Sequence, residues 1–346
     1  MEDYAAKMLL KTDAALREYV TGHVQYREAA VLAALDELRR RGQPVRALLR
    51  PGTPAPFDAA DVGINYQFAD ITDAAQVTGA AEGCAAIIHA AALASVNPAR
   101  DPALWAVNLA GTEGVLREAR RAGVGRLVYV GTTNVFGFGP KENPGDETRP
   151  YAGRRYGLDY MDSKRAATDL VRRAAHQQSL PAVLVHPTFM LGPDDAKPTS
   201  NALLLELYRG RLPGYPPGGK NYVHVRDVAT ATVNALTMGR VGESYILGNE
   251  NLSYREAFAR LAAVLGVAAP RWPIPAGLAV AYGRFSQVLG SWRGRPAQLN
   301  AAMAAVANDG HYFSAAKARA ELALPQTSID QAVAEALAWF QVNNYV

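Results

Sequence analysis

The sequence predicts an α/β fold: a doubly wound parallel sheet in a first domain, 1–190, followed by a smaller, mostly helical lobe, 191–346. Short apolar runs alternate with amphipathic segments of helical period in the first half of the chain, and these runs lie at 45–49, 64–68, 85–89, 126–130 and 182–186. Such alternation is typical of right-handed crossovers, which cover both faces of a parallel sheet with helices. After Pro187 the alternation stops, and a strand and helix near 221–250 are expected to return to the first domain.

The helices predicted for the first domain lie at 73–81, 102–122 and 156–178. After Pro187, a short strand at 222–225 precedes a helix at 227–237. The first strand is ambiguous, because LREYV at 16–20 is charged where a central strand should be apolar. The overlapping stretch AALREY suits a helix equally well.

Composition indicates an ordinary globular protein and excludes several classes. The chain has 36 basic and 32 acidic residues without a long run of like charge, so we predict no nucleic-acid surface. No stretch reaches about 18 uninterrupted apolar residues, so we expect no membrane span.

One cysteine, Cys84, excludes an internal disulfide, and the N-terminus lacks an apolar signal core; both fit a cytoplasmic location. No His, Cys and carboxylate cluster has metal-ligand spacing. The oligomeric state is not readable, and a homodimer stays open.

The most informative local feature is a tyrosine and a lysine four residues apart, Tyr160 and Lys164. On a helix this spacing brings both side chains onto one face, one turn apart. The lysine charge favours the phenolate form of the tyrosine, which suits a proton donor for carbonyl chemistry. Taken alone the pair is weak support for an active site, since the chain contains 16 tyrosines.

Small and polar residues follow the predicted strands, at the edge where open parallel sheets bind ligands. In chain order they are Arg50, Asp70 with Ile71, Ala90 to Ala92, Thr132, and Pro187 to Phe189. Asn108 lies on a crossover helix beside the same edge. A dinucleotide and a carbonyl substrate would need groups of this kind at this position.

With these residues in place, the chain resembles the extended short-chain dehydrogenase/reductase superfamily, also called the NAD-dependent epimerase/dehydratase family. The resemblance runs from about Val45 to the C-terminus, and the 3β-hydroxysteroid dehydrogenase and dihydroflavonol 4-reductase-like branch looks closest. Six segments carry it in order: HAAALAS at 89–95, NLAGT at 108–112, VYVGTTNVFG at 128–137, YMDSKRAA at 160–167, HPTFMLGP at 186–193 and YVHVRDVA at 222–229. The resemblance implies a Rossmann-type dinucleotide-binding domain and a substrate-binding lobe.

The resemblance also implies roles for single residues. Tyr160 would be the general acid/base, and Lys164 would hold the nicotinamide ribose. Thr132 stands where the family usually has a catalytic serine, and Asn108 matches a residue that often positions a proton-relay water. The remaining cofactor-binding candidates are Gly22, Arg50, Asp70, Ile71, Ala90, Ala91, Ala92, Pro187, Thr188 and Phe189.

Arg50 bears on the choice of cofactor. It occupies the strand end where an acidic residue would bind the 2′-hydroxyl of NAD, and arginine there suits the 2′-phosphate of NADP. We therefore expect NADP, with NAD as the other candidate.

The family pattern breaks at the N-terminus. The family opens with strand, TGxxGxxG and helix, whereas 21–28 reads TGHVQYRE. Gly22 matches the first glycine, but Gln25 and Glu28 replace the second and third, whose small size lets the backbone approach the pyrophosphate and the helix pack on the strand. Three alternatives stay open: an altered loop that still binds a dinucleotide, a member with weak or no cofactor binding, or a locally remodelled N-terminal region.

The leading hypothesis is an NADP-preferring oxidoreductase that interconverts a ketone and a secondary alcohol on a small, hydrophobic substrate. A nucleotide-sugar epimerase or dehydratase would use the same tyrosine, but HPTFMLGP lacks the arginine and asparagine typical of that segment in those enzymes. A non-catalytic family member is the third hypothesis, and its support is Gln25 and Glu28.

Overall fold

A computed structural model of the chain describes residues 18–21, 28–53, 64–195, 200–292 and 300–346. Seven parallel strands form the main sheet in the order β3-β2-β1-β4-β5-β6-β9. Their bounds are β1 Glu18–Thr21, β2 Val45–Leu49, β3 Ile64–Phe68, β4 Ala86–His89, β5 Arg126–Val130, β6 Ala182–Pro187 and β9 Ser244–Leu247. The predicted doubly wound parallel sheet is thereby confirmed, and β9 is a strand that returns from the second half of the chain.

The segment whose sequence suits both a strand and a helix forms strand β1 at Glu18–Thr21. β1 lies in the interior of the sheet and pairs in parallel with β2 on one side and β4 on the other. Helix α1, Glu28–Arg40, follows it after residues 22–27. Strand β1 therefore precedes α1 in the expected order, and a helix over 14–19 is excluded at Glu18 and Tyr19, which belong to β1. Residues 1–17 and 22–27 lie outside the described residues, so the alternatives for the altered glycine motif stay open.

Helices cover both faces of the sheet. They are α1, α2 Ala74–Val77, α3 Pro102–Trp105, a π-helix at Ala106–Gly111, α4 Thr112–Arg121, α5 Asp159–Gln177 and α7 Val225–Asn234. Neighbouring strand residues point to opposite faces, as a period of two requires. Ile88 and Val128 pack toward α1 and α7, whereas Ile87 and Leu127 pack toward α4 and α5.

Four helix predictions need correction. The segment at 73–81 is helical only over Ala74–Val77, because Thr78 is extended and Gly79 has φ +88°. The helix predicted at 102–122 is interrupted by the π-helix. The helix predicted from 156 begins at Asp159, since Gly157 adopts a left-handed conformation with φ +64°. The helix predicted at 227–237 is Val225–Asn234, and the His224 ring caps it by accepting from the Arg226 N–H at 3.0 Å.

The smaller lobe contains a second sheet of four strands. Its order is β10-β8-β11, with β7 paired to the remaining edge of β8. The strands are β7 Phe189–Leu191, β8 Gly219–His224, β10 Glu250–Ser253 and β11 Gly310–His311. The sequence predicted only β8, as the strand at 222–225. The helices are α6 Ala202–Tyr208, α8 Tyr254–Leu265, α9 Ala276–Trp292, α10 Ala301–Asn308, α11 Ala316–Leu322 and α12 Ile329–Val342. Among the described residues, no helix has both the length and the apolar character needed to cross a bilayer.

Candidate active site at the carboxyl edge of the main sheet

Tyr160 and Lys164 lie on the first turns of α5, at the carboxyl ends of the central strands. The Lys164 side chain is 1% exposed, and its Nζ donates to the backbone oxygen of Val130, the last residue of β5, at 3.1 Å. The same ammonium lies 4.6 Å from the centroid of the Tyr129 ring. These contacts hold the lysine charge against the end of β5, one helical turn from Tyr160.

Tyr160 is the second residue of α5 and is 9% exposed. It belongs to an apolar cluster with Tyr156, Leu158 and Met161, against which Phe138 packs. The start of α5 is fixed at its other side by Asp159, whose Oδ1 pairs with Arg100 Nη1 at 2.7 Å. The helix that carries the predicted pair is therefore anchored directly at its first residue.

Asn108 lies in the π-helix and connects three parts of the site. Its Oδ1 accepts from the Leu93 N–H at 2.8 Å, and its Nδ2 donates to the Leu93 carbonyl at 2.8 Å. Nδ2 also donates to Ser163 Oγ at 3.0 Å, in the turn between Tyr160 and Lys164. Both amide hydrogens are thus used by protein groups, so the geometry favours a bracing role for Asn108 over binding of a relay water.

Thr132 is buried just beyond the end of β5. Its Oγ accepts from the Asn134 N–H at 3.4 Å, which starts a short 3₁₀ turn at Thr133–Val135. The preceding residue must be small, because a Cβ on Gly131 would lie 2.2 Å from Nδ1 of the buried His186. The close packing of His186 against Gly131 therefore fixes the backbone that presents Thr132.

A cleft lies between the edge of the main sheet and the second sheet. Its lining combines residues from the ends of β5 and β6 with residues of β8 and the segment around β11: Thr132, Thr133, Asn134, Thr188, Phe189, Lys220, Asn221, His311 and Phe313. Tyr160 lies in the neighbouring apolar cluster, which contacts the cleft through Phe138, since the Phe138 and His311 rings are 4.3 Å apart. Thr132 and the predicted nicotinamide residues Thr188 and Phe189 therefore share one cleft.

Six of the nine lining residues were missed by sequence reasoning, among them the two that can carry a positive charge, Lys220 and His311. Lys220 lies at the end of a stretch rich in proline and glycine, 211–220. His311 pairs with Lys220 in the parallel register of β11 with β8, and this pairing joins distant parts of the chain. No sequence period connects them, so only the fold brings them together.

The electrostatics of the cleft are set by burial. Burial lowers the pKa of the Lys220 ammonium to about 8. Burial, and then the nearby Lys220 charge, lower the pKa of His311 well below its usual range, so this imidazole is neutral at physiological pH. The Tyr156 hydroxyl lies between His311 Nε2, at 3.3 Å, and Asp309 Oδ2, at 2.5 Å. Burial and the hydrogen bond to Asp309 raise the pKa of Tyr156.

The residues predicted to contact the adenosine half lie along the same edge. Ala90, Ala91 and Ala92 follow β4 and are buried. Asp70 Oδ1 accepts from the Thr72 N–H at 2.9 Å and from its hydroxyl at 2.7 Å, which fixes the turn after β3. The buried Ile71 packs on the π-helix, where a Cβ on Gly111 would lie 2.8 Å from its Cδ1.

The structure also bears on the fit of a dinucleotide. Small buried residues after β4 and the Lys164 ammonium beside β5 are compatible with a dinucleotide along this edge, and Arg50 is exposed at the end of β2. Gly22 and Gln25 lie outside the described residues, and Glu28 is the first residue of α1. Within the described ranges, no group of three or more His, Cys, Asp or Glu side chains could hold a metal ion.

Comparison with known proteins agrees with this architecture. Residues 28–248 match the model of the NAD dependent epimerase/dehydratase family, and the match begins at the first residue of α1. The chain is 31% identical to "Putative dihydroflavonol 4-reductase" of Synechocystis sp., over 95% of each protein. It is 29% identical to "3 beta-hydroxysteroid dehydrogenase/Delta 5-->4-isomerase" of Mycobacterium tuberculosis, over 94% of this chain and 90% of that protein.

A solved structure gives the same result for the fold. UDP-glucose 4-epimerase of Thermus thermophilus, in complex with NAD, superimposes with a TM-score of 0.72 at 23% identity. The superposition covers 94% of this chain and 99% of that chain. At this level of identity the likeness concerns the fold.

Proposed function

Because the chain belongs to the NAD-dependent epimerase/dehydratase family, we propose that it is an NADP-preferring oxidoreductase that interconverts a ketone and a secondary alcohol. The observation that carries the proposal is the joint position of Tyr160, Lys164 and Thr132. Lys164 Nζ donates to the Val130 carbonyl at the end of β5, Thr132 lies two residues beyond Val130, and Tyr160 lies one helical turn before Lys164 on α5. A proton donor, a cation and a hydroxyl are the groups that carbonyl reduction requires.

In this proposal each side chain has a defined task. A bound nicotinamide dinucleotide would supply hydride to the carbonyl carbon or accept it from the alcohol. Tyr160 would donate the proton from its hydroxyl to the carbonyl oxygen, and the Thr132 hydroxyl would hydrogen-bond that oxygen. Lys164 would hold a ribose hydroxyl and favour the charge on Tyr160 after proton transfer. Asn108 would keep α5 in register with the π-helix.

The preference for NADP is inferred from Arg50. Its guanidinium is exposed at the end of β2, next to the strand end where the adenosine ribose would lie. Arginine forms paired, charge-assisted hydrogen bonds with phosphate, which the 2′-hydroxyl of NAD cannot match. Pro187, Thr188 and Phe189 would flank the nicotinamide from the end of β6.

The names of the relatives support reduction or oxidation of a carbonyl group, since one is a dihydroflavonol 4-reductase by name and another a hydroxysteroid dehydrogenase. In this proposal 1–190 would bind the cofactor, and 191–346 would contribute most of the substrate contacts. The epimerase or dehydratase alternative would use the same Tyr160, and the solved epimerase resembles the chain in fold. Residues 186–193, HPTFMLGP, favour the oxidoreductase, because they lack the arginine and asparagine of the sugar-nucleotide enzymes.

A two-step experiment tests the proposal. Thermal unfolding is first recorded with NADPH, NADH and UDP-glucose, because a ligand that binds only the native state raises its apparent stability by mass action. NADPH oxidation is then followed with a panel of ketones. We expect stabilisation by NADPH and turnover of at least one ketone. Stabilisation by UDP-glucose with NADH would instead support the epimerase. An absence of any shift with either dinucleotide would support a non-catalytic member of the family.

A further inference from the structure

Lys220 is the one positively charged residue among the described residues that line the cleft. It lies on β8, next to His311 in the sheet register, and its ammonium is 5.7 Å from the centroid of the Phe189 ring. The same cleft is lined by Thr132, which would hydrogen-bond the reacting oxygen. A lysine so placed faces the space that a substrate would fill, from the side opposite to the main sheet.

No carboxylate in the described part of the chain pairs with this ammonium, because the acidic residues nearby are already paired. Asp309 Oδ2 accepts from Arg155 at 2.9 Å and from the Tyr156 hydroxyl. On the neighbouring strand and helix, Glu250 pairs with Arg260, and both oxygens of Glu256 accept from Lys141 at 2.8 Å. Burial is the cause of the lowered pKa of Lys220, without an opposing contribution from an acidic partner.

The rest of the cleft wall offers little to replace a counter-ion. Phe189 and Phe313 are apolar, and His311 is neutral. The Asn221 amide is used internally, since its Nδ2 donates to Asn251 Oδ1 at 2.8 Å and to the Phe313 carbonyl at 3.2 Å. A cleft with one uncompensated ammonium among neutral side chains, two of them phenylalanines, is suited to a ligand that has an anionic end and an apolar part.

We propose that Lys220 binds a carboxylate of the substrate, so that the substrate class is an oxo acid with its carbonyl at Thr132 and its carboxylate at Lys220. This inference rests on the proposed function for the position of the carbonyl. The carboxylate site itself rests on the cleft and its charge. It extends the expectation of a hydrophobic substrate, because Phe189 and Phe313 offer apolar contacts to the chain that joins the two polar groups.

A binding experiment tests the site without turnover. Calorimetry on the full chain, with and without NADP, compares octanoate with octanamide, which have equal length and differ in charge. We expect octanoate to bind about tenfold to a hundredfold more tightly, as a charge-assisted hydrogen bond implies. Lys220→Gln should abolish this preference, whereas Lys220→Arg should keep it. Lys317→Gln removes a lysine outside the cleft, which pairs with Glu243, and should leave the preference unchanged.

Three results would overturn the inference: equal affinity for both probes, no octanoate binding at millimolar concentrations, or a preference that survives in Lys220→Gln. Misfolding of that variant is checked by its melting temperature, and the Lys220→Arg variant supplies an independent comparison. The variant that loses the preference must melt like wild type for the result to support the site.

A turnover experiment separates this inference from the proposed function. Oxo acids with one to six methylene groups between carbonyl and carboxylate are compared with their methyl esters, with NADPH as reductant. Reduction of acids in preference to esters in wild type, and equal reduction of both by Lys220→Gln, would support both proposals. Equal reduction of esters and acids by wild type would contradict the carboxylate site and would still support the reductase activity. A binding preference for octanoate without reduction of any probe would support the carboxylate site and contradict the reductase activity.

Discussion

Asn108 and Ser163 are joined by a hydrogen bond of 3.0 Å between Nδ2 and Oγ, which ties the π-helix to the helix that carries Tyr160 and Lys164. The same amide pairs with both backbone groups of Leu93 in the segment after β4. One side chain therefore sets the spacing of three elements around the site. π-Helical turns within α-helices are frequent at functional sites, and this one places Asn108 between its partners.

We predict that Asn108→Ala destabilises the protein by about 1–3 kcal/mol, because it leaves partly buried groups of Leu93 and Ser163 without their partner. Urea unfolding measures this change in the free energy of unfolding. Asn65→Ala, at an exposed position on β3, serves as the matched control and should lie within about 0.5 kcal/mol of wild type. Equal unfolding midpoints for Asn108→Ala and wild type would show that the amide is not a brace.

The sequence predicted five of the seven strands of the main sheet, β2 to β6, because these strands have a strong and local signal. The predicted runs 45–49, 64–68 and 126–130 coincide with β2, β3 and β5. β2 and β5 are mostly apolar runs, and β3 alternates apolar and polar residues, so each can be recognised without its neighbours. The strand order also predicts the edge of the sheet at which the candidate site would lie, because ligands bind beyond the carboxyl ends of parallel strands.

The second sheet and its part of the cleft could not be predicted in the same way. β10 and β11 are four and two residues long, and each is a strand only because it pairs with β8. Lys220 and His311 become neighbours through that pairing, and their pKa values depend on a burial that no local pattern reveals. The π-helix likewise depends on the Asn108 contacts rather than on local propensity.

Tyr160→Phe should lower any reductase activity by about 10²- to 10⁴-fold and leave the fold intact, because it removes only the proposed proton donor. Steady-state kinetics with NADPH and the best ketone of the panel measures this loss. Tyr345→Phe, near the C-terminus, removes a hydroxyl far from the site and should retain full activity. Full turnover by Tyr160→Phe would show that another group donates the proton.

Arg50→Asp should shift the cofactor preference from NADP toward NAD. The guanidinium would lose a charge-assisted hydrogen bond to the 2′-phosphate, a contribution of about 1.5–3 kcal/mol, and the new carboxylate would accept from the 2′-hydroxyl instead. Dissociation constants for both cofactors measure the shift. Arg40→Asp makes the same charge change at the exposed end of α1 and should keep the wild-type ratio. An unchanged ratio in Arg50→Asp would remove this residue from the cofactor site.

The affinity for octanoate should fall as the pH rises above about 8, because burial lowers the pKa of Lys220 to about 8 and the ammonium is lost above it. The titratable groups around Lys220 do not change charge near pH 8. His311 stays neutral because its pKa is lowered, and burial raises the pKa values of Tyr222, Tyr254 and Tyr312. Calorimetry from pH 6.5 to 9.5 measures the effect. Lys220→Arg should give a flat profile, since a guanidinium stays protonated throughout. A parallel decline in wild type and Lys220→Arg would assign the pH dependence to another group.

Restoring the glycine pattern in the loop after β1, with Gln25→Gly and Glu28→Gly together, should tighten dinucleotide binding. In the family pattern these two positions are glycines close to the pyrophosphate, so we expect their replacement to remove two side chains that would obstruct its approach, and with Glu28 a carboxylate that would repel it. Gln25 lies outside the described residues, and Glu28 is the first residue of α1. Each glycine near a helix start costs up to about 1 kcal/mol of stability, so a lower melting temperature is expected and does not count against the prediction.

The measurement is calorimetric affinity for NADPH in both proteins. A wild type that shows no heat of binding beside a double variant that does would identify a family member that has lost its cofactor. Equal, micromolar affinity in both would instead mean that TGHVQYRE is a working variant of the loop, in which the α1 N-terminus binds the pyrophosphate without the second and third glycines.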